Sequence, residues 1–132
     1  MSAQAVTVPD PAAFADVANY LNTARLLARE INAALSEEGL REELWRILVA
    51  LDETARYSMS EISVRLGLAP ATTTRLIDEL VDNGLVFRKP SEEDGRKALV
   101  YASSLGRARL SRANAILSSR SVQLRSLMST AL

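Results

Sequence analysis

The chain contains neither cysteine nor histidine. Without cysteine it can form no disulfide and no thiolate metal site, and the usual redox-sensing mechanism is excluded. Without histidine it lacks the usual general base and the commonest metal ligand. Carboxylates could still do acid-base chemistry, but they stand in solvated-looking clusters such as Glu92 and Glu93. We therefore expect no enzyme, no catalytic residue, no metal and no cofactor.

Long apolar runs are also missing. The longest stretches, such as residues 47–51, are only a few residues long, whereas a membrane-spanning helix needs about 20. The first residues show neither a basic start nor a long apolar segment, so they are not typical of a secretory signal. The sequence predicts a cytoplasmic protein with no membrane partner.

Neither sign of charge is in excess, because 16 lysines and arginines balance 16 acidic residues. A zero net charge argues against a nucleic-acid partner, which requires a local excess of cations. The distribution is uneven, however, since every charged residue after Asp94 is basic. This asymmetry permits a basic face on a neutral protein.

A length of 132 residues with 48% hydrophobic residues suits one globular domain with helical extensions. Residues 1–9 show no periodicity and are expected to be a flexible lead-in. Asp10 and Pro11 then give an N-cap and a first-turn proline, and Gly39 ends the helix. One apolar stripe follows this helix in heptad spacing, and it can pack on its own domain or on a partner chain: Phe14, Val17, Leu21, Ala24, Ala28, Ile31 and Leu35.

A helix-turn-helix is predicted after a second helix over residues 40–55. Ser60 is expected to cap a short helix through Leu66, and a tight turn over residues 67–69 leads into a helix over residues 70–82. The inward stripe of that helix is predicted to be Thr73, Leu76, Ile77 and Leu80. Small polar residues are left on its exposed first turns, which suits a recognition helix entering the major groove.

Arg75 on this helix is long enough for a bidentate contact with guanine. The competing interpretation is that Arg75 pairs along its own helix with Asp78 or Glu79, at i+3 and i+4. After residues 83–84 end the helix, strands are predicted at residues 85–90 and 98–101. The polar turn between them makes a hairpin with Arg96 and Lys97 near its tip, which is a wing.

A long helix, or two nearly continuous ones, is predicted over residues 103–132. Its apolar stripe would remain exposed without a partner, so we expect a homodimer with twofold symmetry. A basic amphipathic helix could instead lie on a membrane surface, but the apolar side lacks tryptophan and phenylalanine. The predicted dimer contacts lie on the first and last helices: Phe14, Val17, Leu21, Leu117, Leu124, Leu127 and Met128.

Residues 59–110 resemble the winged-helix core of MarR-type transcriptional regulators. The matching segments are residues 59–62, 66–68, 74–80, 83–88 and 94–96, followed by Ser103 and residues 106–108. The resemblance implies a mainly α fold with a small β-hairpin wing, flanked by dimerisation helices at residues 10–39 and 103–132, with the DNA-binding core at residues 40–102. It also implies a homodimeric, repressor-like regulator that binds double-stranded DNA.

Carried onto this sequence, the resemblance implies that Asp94 orients Arg96 at the wing. A pocket for a small aromatic ligand would lie between the winged core and the dimerising helices, where Tyr20, Trp45 and Tyr57 could form walls or simply fill the core. The residues expected to face DNA are Ser60, Pro70, Ala71, Thr72, Thr74, Arg75, Arg88, Lys89, Arg96 and Lys97.

The sequence departs from the family pattern at three positions. Ala69 stands where a capping serine is usual, Thr73 replaces a buried aliphatic residue, and Gly95 replaces a wing arginine. The missing arginine weakens the expected minor-groove contact or shifts it to Arg96 and Lys97. Together with the neutral charge, it keeps a second interpretation open, a winged-helix protein-interaction module without sequence-specific DNA binding.

Overall fold

The computed structural model describes residues 10–52, 56–120, 124–126 and 129. Three strands form one antiparallel sheet, in which Ala98–Ala102 lies between Tyr57–Ser58 and Val86–Pro90. The predicted mainly helical winged helix-turn-helix fold is confirmed. In the described ranges, no helix has the length and apolar character needed to cross a membrane. In chain order the elements are α1 Pro11–Leu35, a 3-10 turn Ser36–Glu38, α2 Glu42–Ala50, β1 Tyr57–Ser58, α3 Met59–Leu66, α4 Pro70–Asp82, β2 Val86–Pro90, β3 Ala98–Ala102 and α5 Ser104–Ser119.

Helix α1 begins at the predicted signals but ends at Leu35, earlier than predicted, because a 3-10 turn precedes Gly39. The Asp10 carboxylate accepts a hydrogen bond from the Ala12 N–H at 3.0 Å, and Pro11 occupies the first turn. Gly39 follows the 3-10 turn in the left-handed conformation, with a φ of 68°. Only the last turns of the helix enter the core, where Leu35 is fully buried. The N-terminal turns of α1 are exposed along their whole length.

Helix α2 is shorter than predicted. It runs from Glu42 to Ala50, because the backbone of Arg41 is extended and Leu51 leaves the helical conformation. Residues 53–55, the predicted end, lie outside the described residues. The first turn has no local side-chain cap; instead Asn32 of α1 accepts a hydrogen bond from the Glu42 N–H at 2.7 Å. The start of α2 is therefore fixed by a neighbouring helix.

Helix α3 is capped by Ser58 and not, as predicted, by Ser60. The Ser58 hydroxyl accepts from the Glu61 N–H at 3.2 Å, and the Glu61 carboxylate accepts from the Ser58 N–H at 3.3 Å. This reciprocal arrangement is a capping box, which satisfies both orphan donors. Ser60 lies exposed within the first helical turn. Just before α3, residues 57–58 form strand β1, which pairs with β3 at Tyr57↔Val100.

One hydrophobic core joins α2, α3, α4, α5 and the inner face of the sheet. Helix α5 approaches the sheet closely at Gly106, where an added Cβ would lie 2.0 Å from the Leu85 carbonyl oxygen. Ser103 secures the same junction, because its hydroxyl donates to the Gly84 carbonyl at 2.6 Å and accepts from the Gly106 N–H at 3.0 Å. The fully buried apolar side chains include Leu44, Ile47, Leu48, Leu51, Ile62, Leu76, Ile77, Leu80 and Val100.

Candidate nucleic-acid interface

The turn between α3 and α4 is held by a pair of buried hydroxyls. Ser63 of α3 donates to the Thr73 hydroxyl at 2.7 Å, and Thr73 in turn donates to the Ala69 carbonyl at 3.1 Å. Thr73 is fully buried and Ser63 is 8% exposed. Each buried hydroxyl thus has a partner, which explains how a threonine occupies a core position. Ala69 provides no side-chain cap for α4.

Helix α4 has the predicted bounds, and its inward stripe of Thr73, Leu76, Ile77 and Leu80 is fully buried. Proline at its first turn and the turn after Asn83 supply the local start and stop signals. We call its outward surface the reading face. The reading face consists of the exposed Pro70, Ala71, Thr74, Arg75 and Asp78 and the half-buried Thr72.

Arg75 is exposed on the reading face. The competing interpretation paired Arg75 with Asp78 or Glu79, but neither acid forms an ion pair with it. Asp78 forms an ion pair with Arg88 of β2, and Glu79 forms one with Arg41. Within the described residues the Arg75 guanidinium makes no hydrogen bond and no ion pair, although its charge, after that of Arg41, helps to lower the pKa of Glu79.

The ion pair between Arg41 and Glu79 connects α4 to the start of α2. Its nitrogen-oxygen distances are 2.7 and 2.8 Å, so both oxygens of the carboxylate are engaged. The hydrogen bond from Arg41 lowers the pKa of Glu79, and the same bond raises the pKa of Arg41. This bidentate geometry restrains the orientation of α4 relative to the core.

The wing is the β2–β3 hairpin with its tip at residues 91–97. The Asp94 carboxylate accepts from the Arg96 N–H at 3.1 Å and lies 3.7 Å from its guanidinium nitrogen. The Arg96 side chain is 97% exposed. Lys97 extends back toward α3, where its ammonium lies 3.3 Å from the Glu61 carboxylate. Lys89 is exposed and has no ion-pair partner in the part of the chain that the structure describes.

Stacked aromatic side chains stiffen the hairpin. Phe87 and Tyr101 face each other across β2 and β3, with ring centroids 5.3 Å apart and nearly parallel planes. Arg88 is paired with Val100, so it lies on the inner side of the sheet, toward α4. A cross-strand aromatic pair such as Phe87 and Tyr101 stabilises a two-stranded hairpin.

The three aromatic residues suggested as ligand walls are not brought together. Trp45 lines a groove of about 600 Å³ between α1 and α2, and its indole N–H donates to Asn114 at 2.9 Å. Tyr57 lies elsewhere, under the guanidinium of Arg65. Tyr20 is half-exposed and lines none of these surfaces. The remaining groove residues are Leu21, Ala24, Arg25, Leu27, Ala28, Ile31, Glu42, Arg46 and Gly67.

The predicted dimer residues divide into exposed and buried groups. Phe14, Val17 and Leu21 of α1 are more than half exposed, between 56% and 61%. Leu117 is only 7% exposed because it packs in the core of its own chain, so its assignment to a dimer contact is corrected. Leu124 is half-buried against the same core. Residues 127 and 128 lie outside the described residues.

The basic residues of α5 do not form a free cationic face. Arg109 donates to the Glu38 carbonyl at 2.8 Å, and Arg112 lies 3.2 Å from the Glu38 carboxylate. Arg107 donates to the Ala102 carbonyl at 3.2 Å. Part of the basic charge in the C-terminal part of the sequence therefore connects α5 to the 3-10 turn that follows α1.

The hydroxyl-bridged turn, the helix with a polar outward surface and the hairpin with cations at its tip define a winged helix-turn-helix protein. A family model described as the MarR family matches residues 40–98. This match covers the central part of the chain and agrees with the resemblance drawn from the sequence. The curated relatives that the chain resembles are named as transcriptional regulators or repressors.

Individual relatives agree with this match. The HTH-type transcriptional repressor IacR of Pseudomonas putida is 37% identical over 62 residues, which are 47% of this chain and 37% of IacR. The transcriptional regulator BldR of Sulfolobus solfataricus superposes with a TM-score of 0.77 at 25% identity, over 90% of this chain and 86% of BldR. CouR of Rhodococcus jostii, solved with p-coumaroyl-CoA, superposes with a TM-score of 0.67 at 26% identity, over 84% of this chain and 87% of CouR. The matches span between 37% and 57% of the curated relatives.

Sequence reasoning missed the residues that position the site. The capping box has a local signal, a serine three residues before Glu61, although Ser60 offers a competing serine nearby. The pair of Arg41 with Glu79 joins residues 38 positions apart and has no local signal.

Proposed function

We propose that this chain binds double-stranded DNA sequence-specifically as a repressor-like transcriptional regulator. The observation that carries this proposal is Arg75, a cation with no hydrogen bond or ion pair among the described residues, on the exposed first turns of a helix that begins with small side chains. Small residues at that end allow the backbone to approach base edges, and a free guanidinium can donate to guanine. A cytoplasmic location, where such a regulator reaches DNA, belongs to the same proposal.

The wing supports this proposal by supplying further cations beside the reading face. Lys89 is unpaired among the described residues, and the Arg96 side chain is almost fully exposed. Contacts of this kind with phosphates or the minor groove set the position of the protein on the duplex, whereas groove contacts choose the sequence. We assign Arg75 to base reading, and Lys89 and Arg96 to positioning.

A homodimer completes the proposal. The exposed stripe of Phe14, Val17 and Leu21 on α1 is a large apolar surface for a small protein. A second copy would bury it and would place two reading faces in successive major grooves of one duplex.

We also propose an aromatic effector for the groove between α1 and α2. Apolar side chains, Trp45 and Arg25 line it, together with Arg46 and Glu42, which pair with each other at 2.7 Å. Arg25 is therefore the cation that suits an aromatic ring bearing a negative group. The related CouR was solved with p-coumaroyl-CoA, an aromatic acyl thioester. Trp45 is the only tryptophan of the chain, so its fluorescence reports binding of benzoate or p-coumaroyl-CoA directly.

The test of DNA reading is selection of bound sites from a random duplex pool. We expect an enriched site with twofold-related halves about one helical turn apart. Arg75→Ala should lower the preference for that site over bulk DNA by about 5- to 160-fold per half-site, because one bidentate base contact is worth about 1 to 3 kcal/mol. Lys89→Ala should weaken binding to the selected site and binding to bulk DNA equally. An unenriched pool would favour the alternative, a winged-helix module for protein interaction.

A further inference from the structure

Two of the cations expected to touch DNA are already paired inside the protein. Arg88 of β2 is held by Asp78 of the reading face, and Lys97 of the wing is held by Glu61 of α3. Both carboxylates are about half exposed, so they lie at the same surface as the cations that they hold. By contrast, Arg75 and Lys89 have no such partner among the described residues.

We propose that Asp78 and Glu61 are residues that limit sequence-independent DNA binding, because each keeps one cation from the phosphates. This inference rests on the proposed function and concerns the same surface. A free cation contacts the phosphates of every duplex alike and adds to non-specific affinity. A cation that must first leave a carboxylate adds less, because the released carboxylate stays beside the duplex and repels it.

The local geometry makes the Asp78 pair the stronger case. Asp78 lies on α4 one turn beyond Arg75, while Arg88 reaches it from the strand that leads into the wing. The pair therefore spans the two elements that would flank one DNA backbone. Glu61 is shared between Lys97 and the capping box, so it remains fixed by Ser58 even when Lys97 moves away.

The test measures binding of a labelled random-sequence duplex by fluorescence anisotropy across a salt series, with the full chain. Asp78→Asn removes the charge and keeps the side-chain shape, and Glu61→Gln also keeps the capping box. Asp82→Asn is the control, because Asp82 is exposed on the same helix and has no ion-pair partner among the described residues. Thermal unfolding of each variant checks that the fold is retained.

We expect Asp78→Asn to tighten random-duplex binding about threefold at low salt and to steepen the log-log salt slope by about 0.9 per subunit, the value of one added phosphate contact. Glu61→Gln should act in the same direction, and Asp82→Asn should leave the slope unchanged. The gain from Asp78→Asn should disappear in an Arg88→Gln background, because the freed cation is then absent.

Three results would overturn the inference while leaving DNA binding intact: a slope for Asp78→Asn equal to that of Asp82→Asn, a gain that persists without Arg88, or weaker random-duplex binding by a variant that is still folded. A wild-type chain that shows no salt-dependent duplex binding would overturn the proposed function and this inference together. Both conclusions are therefore tested separately by the same titrations.

Discussion

Arg41 donates hydrogen bonds to both carboxylate oxygens of Glu79, at 2.7 and 2.8 Å, and this pair joins the start of α2 to the C-terminal half of α4. Such pairing fixes the two planar groups relative to each other more firmly than a single contact does. Because Glu79 lies between the buried stripe and the reading face, the pair influences where Arg75 is presented. The contact serves orientation more than stability, since both side chains are partly exposed.

Removing the charge at this contact should have a small effect that depends on pH. Arg41 lowers the pKa of Glu79 below its ordinary 4.5, so the stabilisation is complete above that pH and is lost as pH falls through the lowered pKa. We expect Glu79→Gln to cost about 0.5 to 1 kcal/mol at pH 7. The difference in unfolding free energy between wild type and Glu79→Gln, measured by urea unfolding, should disappear in acid below pH 4.5.

Glu37→Gln is the control for this measurement, because Glu37 is exposed and makes no ion pair with the described residues. It should change stability little at either pH. If the difference in unfolding free energy between wild type and Glu79→Gln increased in acid, the predicted direction of the pH dependence would be wrong.

The buried hydroxyl pair should behave as a unit. Thr73→Val removes the acceptor of the Ser63 hydroxyl and leaves that donor buried, which we expect to cost about 1 to 3 kcal/mol. The double variant Ser63→Ala with Thr73→Val removes both polar groups, so much of the loss should be recovered. Denaturant unfolding of the single and double variants measures this coupling; strictly additive losses would show that the hydroxyls act independently.

The approach of α5 to the sheet should not tolerate a side chain at Gly106. A Cβ there would lie 2.0 Å from the Leu85 carbonyl oxygen, and backbone cannot move aside cheaply. We expect Gly106→Ala to cost about 1 to 3 kcal/mol or more in unfolding free energy. Gly95→Ala at the wing tip is the matched control, because nothing lies within 4 Å of its added Cβ. Equal stability of the two variants would refute the close contact.

The dimer proposal predicts that Leu21→Glu separates the subunits. A charge in the middle of a buried apolar stripe is costly, so the variant should sediment as a monomer at a concentration where wild type is dimeric. Asn19→Glu adds the same charge on the opposite face of α1 and should leave the dimer intact. If analytical ultracentrifugation finds wild type monomeric at micromolar concentration, or finds the two variants alike, the stripe is not the interface.

The parts of the fold that local signals specify were predictable from the sequence. Helix α4 has the predicted bounds because its first-turn proline and the turn after Asn83 are local signals. The buried stripe of α4 follows from helical periodicity in the same way. Strand β1 was not predictable, since it consists of residues 57–58 and exists only by pairing with residues more than 40 positions away.

The site was predictable as a set of exposed residues but not in its electrostatics. Sequence spacing left open whether Arg75 pairs along its helix with Asp78 or Glu79. Longer-range partners form ion pairs with both acids, and Arg75 forms none among the described residues. The same spacing could not show that Arg88 and Lys97 are held internally. Leu117 was misassigned because a heptad stripe looks alike whether its own core or a partner covers it.

The central claim is that the reading face enters the major groove of duplex DNA, and the absence of cysteine allows it to be tested directly. Ala71→Cys would provide the only thiol, to which an iron-EDTA cleavage reagent can be attached on the exposed first turn of α4. On the selected duplex we expect strand cuts within each half-site, and none there from the same reagent at Asn19→Cys on α1. Cuts confined to flanking DNA, or equal cutting from both positions, would contradict the claim.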